Sequence, residues 1–242
     1  MYLSTMSMRL NKYIAHCGIC SRRKAVDLIK GGQVTVNGKL EINPAYEVAP
    51  KDKIQLDNKT IKVEKKKVYL LMNKPKNTLT TVSDDRGRRT VLDIVSKKVT
   101  QRVYPVGRLD RNTTGLLLLT NDGDLAKKLS HPSHGVKKIY HAILDRNLRP
   151  SDLDKISRGI ELEDGLAEFD HVGYIDNEPK NQVMLELHSG RNRIIRRVFE
   201  HLNYTVDKLD RIYMGGLTKK DIPRGWFRQL TPKELIMLKH FV

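Results

Sequence analysis

Two periodicities of hydrophobic positions succeed one another along the chain. Near the N-terminus, Leu10, Tyr13 and Ile14 recur at helical spacing, and Gly18 ends the run. Ala25, Val26, Leu28 and Ile29 form a second helical face, with Ser21 placed as its N-cap and Gly31-Gly32 as its stop. VTVNGKLEI then switches to period two around Asn37-Gly38, the dipeptide most favoured in a two-residue hairpin. The predicted order is helix, turn, helix, hairpin.

DNKTIKVEKKK (57–67) is polar and lysine-rich, which puts a linker near 60–67. Beyond it, VYLLMNKP predicts a strand stopped at Asn73-Lys74-Pro75, and GLLLLTNDG a buried strand ended by Asp122-Gly123, with Leu118 in the core. DLAKKLSHP reads as a helix ended by Pro132; KKIYHAIL and QVMLELH read as strands, the latter turning Val183, Leu185 and Leu187 inward. RNRIIRRVFEHL reads as a helix with Ile194, Ile195, Val198 and Leu202 on its apolar side. The expected class is α+β: a small helix-turn-helix-hairpin domain over 8–62, then a larger domain over 67–242 with a mostly antiparallel mixed sheet flanked by helices.

Charge sharpens this picture. Lysine and arginine number 45 against 28 acidic residues in 242, a net charge of +17. Residues 1–66 hold 13 basic and 6 acidic groups (+7), and 67–242 hold 32 and 22 (+10), so charge per residue is about twice as high at the N-terminus. Such an excess favours a polyanion, nucleic acid before membrane surface. No run approaches the roughly 18 apolar residues of a membrane span. MYLSTMSMRLNKY has no apolar core of signal-peptide length, so the chain is expected in the cytoplasm.

Candidate chemistry centres on GRLDRNTTGLLLLTNDG (107–123), where Asp110 stands between Arg108 and Arg111. A carboxyl acting as an acid at neutral pH needs a raised pKa, and neighbouring guanidinium groups work the other way. A metal site gathers several ligands; Asp122 and Asp124 sit in a turn that already explains them. What remains is a permanently ionised base or nucleophile, or a structural ion pair.

Three further features stand out. In HSGRNRIIRRVFEHLNY (188–204), Ser189-Gly190 makes a turn and Arg191 and Arg193 begin a helix at the end where its dipole disfavours cations. Arg193, Arg196 and Arg197 share a broad face, suited to phosphate, to a carboxylate partner or simply to solvent. Arg22, Arg23 and Lys24 open the second helix against the same electrostatic cost, for phosphate contacts or as a solvated face. Cys17 and Cys20 form C-x-x-C without a second ligand pair or a βαβ setting, and are expected to be buried structural thiols.

RLNKYIA, GICSRRKAVDLI and G-x-V-x-VNG, over about residues 8–55, resemble the RNA-binding module named after ribosomal small-subunit protein four. GRLDRNTTGLLLLTNDGDLAKKLSHP, KKIYHAIL and GRNRIIRRVFEHLNYTVDKLDRIYMGGL, spanning about 67–235, resemble the ribosomal RNA pseudouridine synthases of the RsuA/RluB/RluE/RluF branch. That resemblance implies a uridine isomerase working on a base flipped out of its stack, without cofactor or metal. It implies Asp110 as the catalytic aspartate, attacking the ribose anomeric carbon or uracil C6, and Arg108 in the gap left by the extruded base. Tyr140 matches the tyrosine that stacks on the target base and assists proton removal; from its strand alone it reads as an ordinary half-buried tyrosine. Arg196 matches the basic residue that pairs with the aspartate, while Arg191, Arg193, Arg197, Arg22, Arg23 and Lys24 are implied to bind RNA. Ile194 stands where the family often has glutamine, so any polar role there is lost; His131, His134 and His188 match no catalytic role. The implied partner is ribosomal RNA, as a structured stem-loop free or in a pre-ribosomal particle; no membrane and a monomer are expected. RLNKYIA-x-x-GICSRR and LNYTVDKLDRIYMGGL look closer to the large-subunit members. The competing reading is a non-catalytic RNA-binding or ribosome-assembly protein, which leaves Asp110 and Tyr140 unexplained. A phosphate-handling hydrolase would need a glycine-rich loop or metal ligands that the sequence lacks.

Overall fold

The computed structural model describes residues 7–240 and divides into two compact units, 1–67 and 68–242. In the first, α1 (Leu10–His16) and α2 (Arg22–Lys30) pack over a four-stranded antiparallel sheet of β1 (Val34–Val36), β2 (Lys39–Leu40), β3 (Ile54–Leu56) and β4 (Lys59–Thr60), in order β2-β1-β3-β4. Ser21 caps α2 by accepting from the Lys24 amide at 3.2 Å. Asn37 (φ +53°) and Gly38 (φ +81°) both take the left-handed turn that a two-residue hairpin requires. The core is Leu10, Ile14, Ala25, Ile29, Val34, Val36, Val48 and Ile54. Val26 and Leu28 are only half-buried, so the face of α2 that meets the sheet is narrower than the run of apolar residues suggests. Cys17 and Cys20 are free and half-buried rather than fully buried, because they lie in the turn between the helices; burial, then Cys20, pushes the Cys17 thiol up to about 12.

In the second unit, β5 (Tyr69–Lys74), β6 (Thr114–Thr120), β7 (Lys138–Leu144), β8 (His171–Tyr174), β9 (Gln182–Leu187), β10 (Val206–Met214) and β11 (Phe227–Gln229) form one sheet in the order β8-β9-β7-β10-β6-β5-β11. Neighbours on this path are antiparallel except β10 and β6, which run parallel. Helices α3 (Val91–Val95), α4 (Gly123–Ser130), α5 (Pro150–Arg158), α6 (Ile194–His201) and α7 (Pro232–His240) flank it.

The four leucines of β6 explain its central place. Side chains alternate across a strand, so Leu116 and Leu118 join Leu71 and the α4 and α7 residues Leu125, Leu129 and Leu238, while Leu117 and Leu119 join Leu70, Met72 and the α3 residues Val91 and Val95. A strand covered on both faces reads as an unbroken apolar run. Truncating one such leucine to alanine costs about 2–5 kcal/mol. A third cluster beneath β7, β9 and β10 holds Val183, Leu185, Leu187, Ile194, Ile195, Val198 and Phe199. Phe199 takes the inward place on α6 expected of Leu202, which caps the helix and is half-buried. Ile194 is buried in this cluster and packs as core while also lining the cleft.

Of two element boundaries at the site, one differs from the sequence expectation. The strand stopped at Asn73-Lys74-Pro75 ends at Lys74 as expected, and both Asn73 and Lys74 are buried because each finds polar partners inside the protein. The helix expected to begin at Arg191 begins at Ile194: Arg193 is its N-cap, in a left-handed conformation (φ +48°, ψ +27°), and Arg191 lies in the turn before it.

Candidate active site

A cleft of about 580 Å³ opens in the second unit, lined among others by Arg108, Asp110, Tyr140, Arg191, Arg193 and Arg196. Asp110 lies in the loop that leads into β6, and backbone contacts clamp that loop from both sides. Thr80 Oγ1 donates to Leu109 O at 2.7 Å, and the Thr113 amide donates to Asp110 O at 3.1 Å. Beneath it lies Lys74, wholly buried, whose Nζ donates to the carbonyls of Asp110 (3.0 Å), Thr113 (2.9 Å), Pro75 (3.2 Å) and Arg111 (3.3 Å). Burial pushes the Lys74 ammonium down to about 8, opposed by the Asp110 charge. The Leu109 side chain is anchored in the core, so Asp110 projects into the cleft with its carboxylate 40% exposed.

The facing wall is the start of α6. Arg193 Nη1 comes within 3.9 Å of Asp110 Oδ2, while its Nη2 donates to Glu200 at 3.1 Å. The strained N-cap, which costs about 1 kcal/mol for a residue with a side chain, turns this guanidinium across the cleft. Arg196 is half-buried and tied by Nη1 to Val206 O at 2.6 Å. Its burial and the nearby Arg193 push its pKa down, and the Asp110 charge pulls it back up. Arg191 and Arg197 both bond Asp164, holding that carboxyl well below the usual range; Arg191 lines the cleft and Arg197 does not. Arg108 is an exposed part of the rim.

Tyr140 sits half-buried on β7, paired in register with Arg211 of β10. Arg211 is 3% exposed; its Nε donates to Leu116 O at 2.8 Å and its Nη1 lies 3.5 Å from the Tyr140 hydroxyl. Gly115 allows this approach. A Cβ there would lie 2.7 Å from Arg211 N and closer still to Arg211 O and Asp210 Oδ1. Arg22, Arg23 and Lys24 belong to the other unit, all exposed on the first turn of α2. Sequence reasoning passed over Lys74, Arg211, Thr80 and Lys138, all of which build or line the cleft. The signal for Lys74 was a cation one residue beyond the apolar run Leu70-Leu71-Met72, still inside the strand. His188 Nδ1 meets Asp170 at 2.7 Å and His131 Nδ1 meets Ser133 Oγ at 2.7 Å, so both have local partners. Among the described residues no group of three or more His, Cys, Asp or Glu could hold a metal ion, and no helix is long and apolar enough to cross a membrane.

A carboxylate fixed by its own backbone inside an arginine-walled cleft suits a protein whose ligand is a polyanion. The comparisons give that class its family. The model described as RNA pseudouridylate synthase matches residues 68–201, and the S4 domain matches 8–54. The chain is 42% identical to ribosomal large subunit pseudouridine synthase B of Bacillus subtilis, over 96% of this chain and 95% of that one. It is 37% identical to an uncharacterized RNA pseudouridine synthase of Aquifex aeolicus, over 96% and 94%. A crystal structure of a pseudouridylate synthase superposes with a TM-score of 0.67 at 26% identity, covering 96% of this chain and 100% of the other. This chain belongs to the RNA pseudouridylate synthase family.

Proposed function

We propose that this protein converts a specific uridine of large-subunit ribosomal RNA to pseudouridine in the cytoplasm, as a monomer. The observation that carries the proposal is Asp110: one half-exposed carboxylate, fixed by its backbone, in a cleft walled by arginines and Tyr140. The large-subunit target rests on the name of the Bacillus subtilis relative.

The target base leaves its stack, which costs a few kcal/mol that basic contacts to the backbone repay. Arg108, on the rim, fills the space it leaves. Tyr140 stacks on the base and assists removal of its C5 proton. Asp110 attacks ribose C1′ or uracil C6; the N1–C1′ bond breaks, C5 bonds to C1′, the aspartate is released, C5 loses its proton and N1 gains one. Atoms and electrons balance without redox or hydrolysis, so the reaction calls for no cofactor. Arg196 and Arg193 face the aspartate and hold its orientation. Arg191 and Arg197, sharing Asp164, keep one net positive charge beside the cleft for RNA phosphates. The unit around 8–62, with Arg22, Arg23 and Lys24 exposed, grips structured RNA, and the unit from 67 onward does the chemistry.

Asp110→Asn is the direct test. An amide keeps the shape and can hydrogen-bond but cannot attack, so conversion of uridine in an rRNA fragment should vanish while RNA affinity is nearly unchanged. Turnover by a pure preparation of this variant would remove Asp110 from the chemistry. Loss of RNA binding with it would favour a non-catalytic binding role for the site.

A further inference from the structure

Arg211 is a buried cation that the preceding reading leaves unused. It lines the cleft, yet is 3% exposed. Two of its nitrogens are directed: Nε onto Leu116 O at 2.8 Å, and Nη1 toward the Tyr140 hydroxyl at 3.5 Å, at the limit of hydrogen bonding. Its Nη2 is buried and has no partner among the described residues. Leaving a buried N–H unpaired costs about 1–3 kcal/mol, and more on a charged group, so such a group has a use or a partner that arrives later. A second buried atom in the cleft, Thr113 Oγ1, is likewise unpartnered.

The charge is as unbalanced as the hydrogen bonding. The adjacent carboxylate, Asp210, is engaged by Lys219 and Arg224. Another cation lining the cleft, Lys138, is pushed down to about 8 by burial and then by Arg211 itself. Two desolvated cations side by side fit a ligand that brings or develops negative charge.

We propose that Arg211 is a catalytic residue that donates a hydrogen bond from Nη2 to O4 of the flipped uracil and stabilises the negative charge gathering there. The inference rests on the reading of the cleft as a pseudouridine-forming site. Attack by Asp110 on C1′ expels uracil with the N1–C1′ electron pair, which spreads over N1, O2 and, through C6=C5, O4. Attack on C6 instead pushes the C5=C6 pair onto C5 and O4 as an enolate. O4 gains charge on either route before any proton moves, whereas O2 gains it on one only. A fixed guanidinium N–H aimed at O4 therefore serves both routes, and binds the charged state more strongly than the neutral base.

The experiment compares wild type, Arg211→Gln, Arg211→Lys and Tyr140→Phe under single turnover, on RNA fragments carrying uridine or 4-thiouridine at the target. Sulfur is the weaker acceptor. Wild type should be slowed by the 4-thio substitution. Arg211→Gln should lose roughly 100-fold in single-turnover rate on uridine, the scale of one lost oxyanion donor, with RNA affinity little changed and with the 4-thio penalty gone. Arg211→Lys, which keeps the charge, should fall between, and serves if the glutamine variant melts out. Tyr140→Phe should retain the 4-thio penalty, separating direct contact with the base from an effect through the tyrosine. A wild type indifferent to 4-thiouridine, or an equal penalty in wild type and the Arg211 variants, overturns the assignment. A wild type that forms no pseudouridine from uridine sinks the parent reading instead.

Discussion

The ammonium of Lys74 donates to the backbone carbonyl of Asp110 at 3.0 Å, so a strand residue buried under the cleft sets the height of the loop that carries the carboxylate. With Thr113 and Arg111 also accepting from the same nitrogen, one side chain ties down the whole turn.

Lys74→Met should therefore cost both stability and rate. The variant leaves several carbonyls facing an apolar group, a penalty of about 3 kcal/mol or more. Urea melts should show that loss, and single-turnover conversion should fall more than RNA affinity. A melt matching wild type would mean that the loop holds itself.

Gly115→Ala tests the contact between β6 and β10. Its φ of +102° is unfavourable for any side chain, and its Cβ would overlap the Arg211 backbone, so the two parallel strands must separate. The expected loss is about 3 kcal/mol or more. Gly107→Ala is the matched control: φ is +70°, but nothing lies within 4 Å of the added methyl, so roughly 1–2 kcal/mol of backbone strain is expected alone. Equal losses for the two variants would count against a close approach at Gly115.

The same contrast marks what a reader of the sequence can see. The helical faces of α1 and α2, the Asn37-Gly38 hairpin and the four-leucine strand are local patterns whose period gives both the element and its burial. Lys74 and Arg211 are illegible in that way. Lys74 bonds carbonyls 36 to 39 positions later, and Arg211 reaches back 71 residues to Tyr140 and 95 to Leu116. Neither spacing has a period. The start of α6 was misread for a different reason: Arg193 takes up a left-handed conformation that local propensity disfavours for a residue with a Cβ.

Lys138 should leave a mark on the pH dependence of stability. Its Nζ donates to His188 O at 2.9 Å, and burial with the Arg211 charge pushes it from 10.5 down to about 8. The folded value lies below the unfolded one, so the native state releases this proton first, and the group's contribution makes the fold more stable as pH rises from about 8 toward 10.5. Lys74 contributes with the same sign. Lys138→Met should keep the Lys74 part and lose its own, giving a shallower rise of urea midpoint across that window. Parallel curves for the two proteins would show that Lys138 titrates as an ordinary exposed lysine.

The small unit should supply affinity and selection, with no share in the chemical step. Arg22, Arg23 and Lys24 are exposed on the first turn of α2, where the helix dipole opposes positive charge, and they lie in a unit with about twice the charge density of the remainder. Replacing all three with alanine spares the fold: the Ser21 cap accepts from the Lys24 backbone amide, which alanine retains, and alanine is the best helix former. If each of the three meets a phosphate, log affinity against log salt should flatten by roughly 0.7–0.9 per contact, about 2–3 in all. Binding at moderate salt should weaken correspondingly. Single-turnover conversion at saturating enzyme should stay near wild type, because Asp110, Tyr140 and Arg196 belong to the other unit. The measurement needs an RNA fragment containing the target uridine, titrated at several salt concentrations. An unchanged slope would take the RNA-binding role away from α2. A collapsed rate at saturation would show that the small unit helps to assemble the catalytic complex.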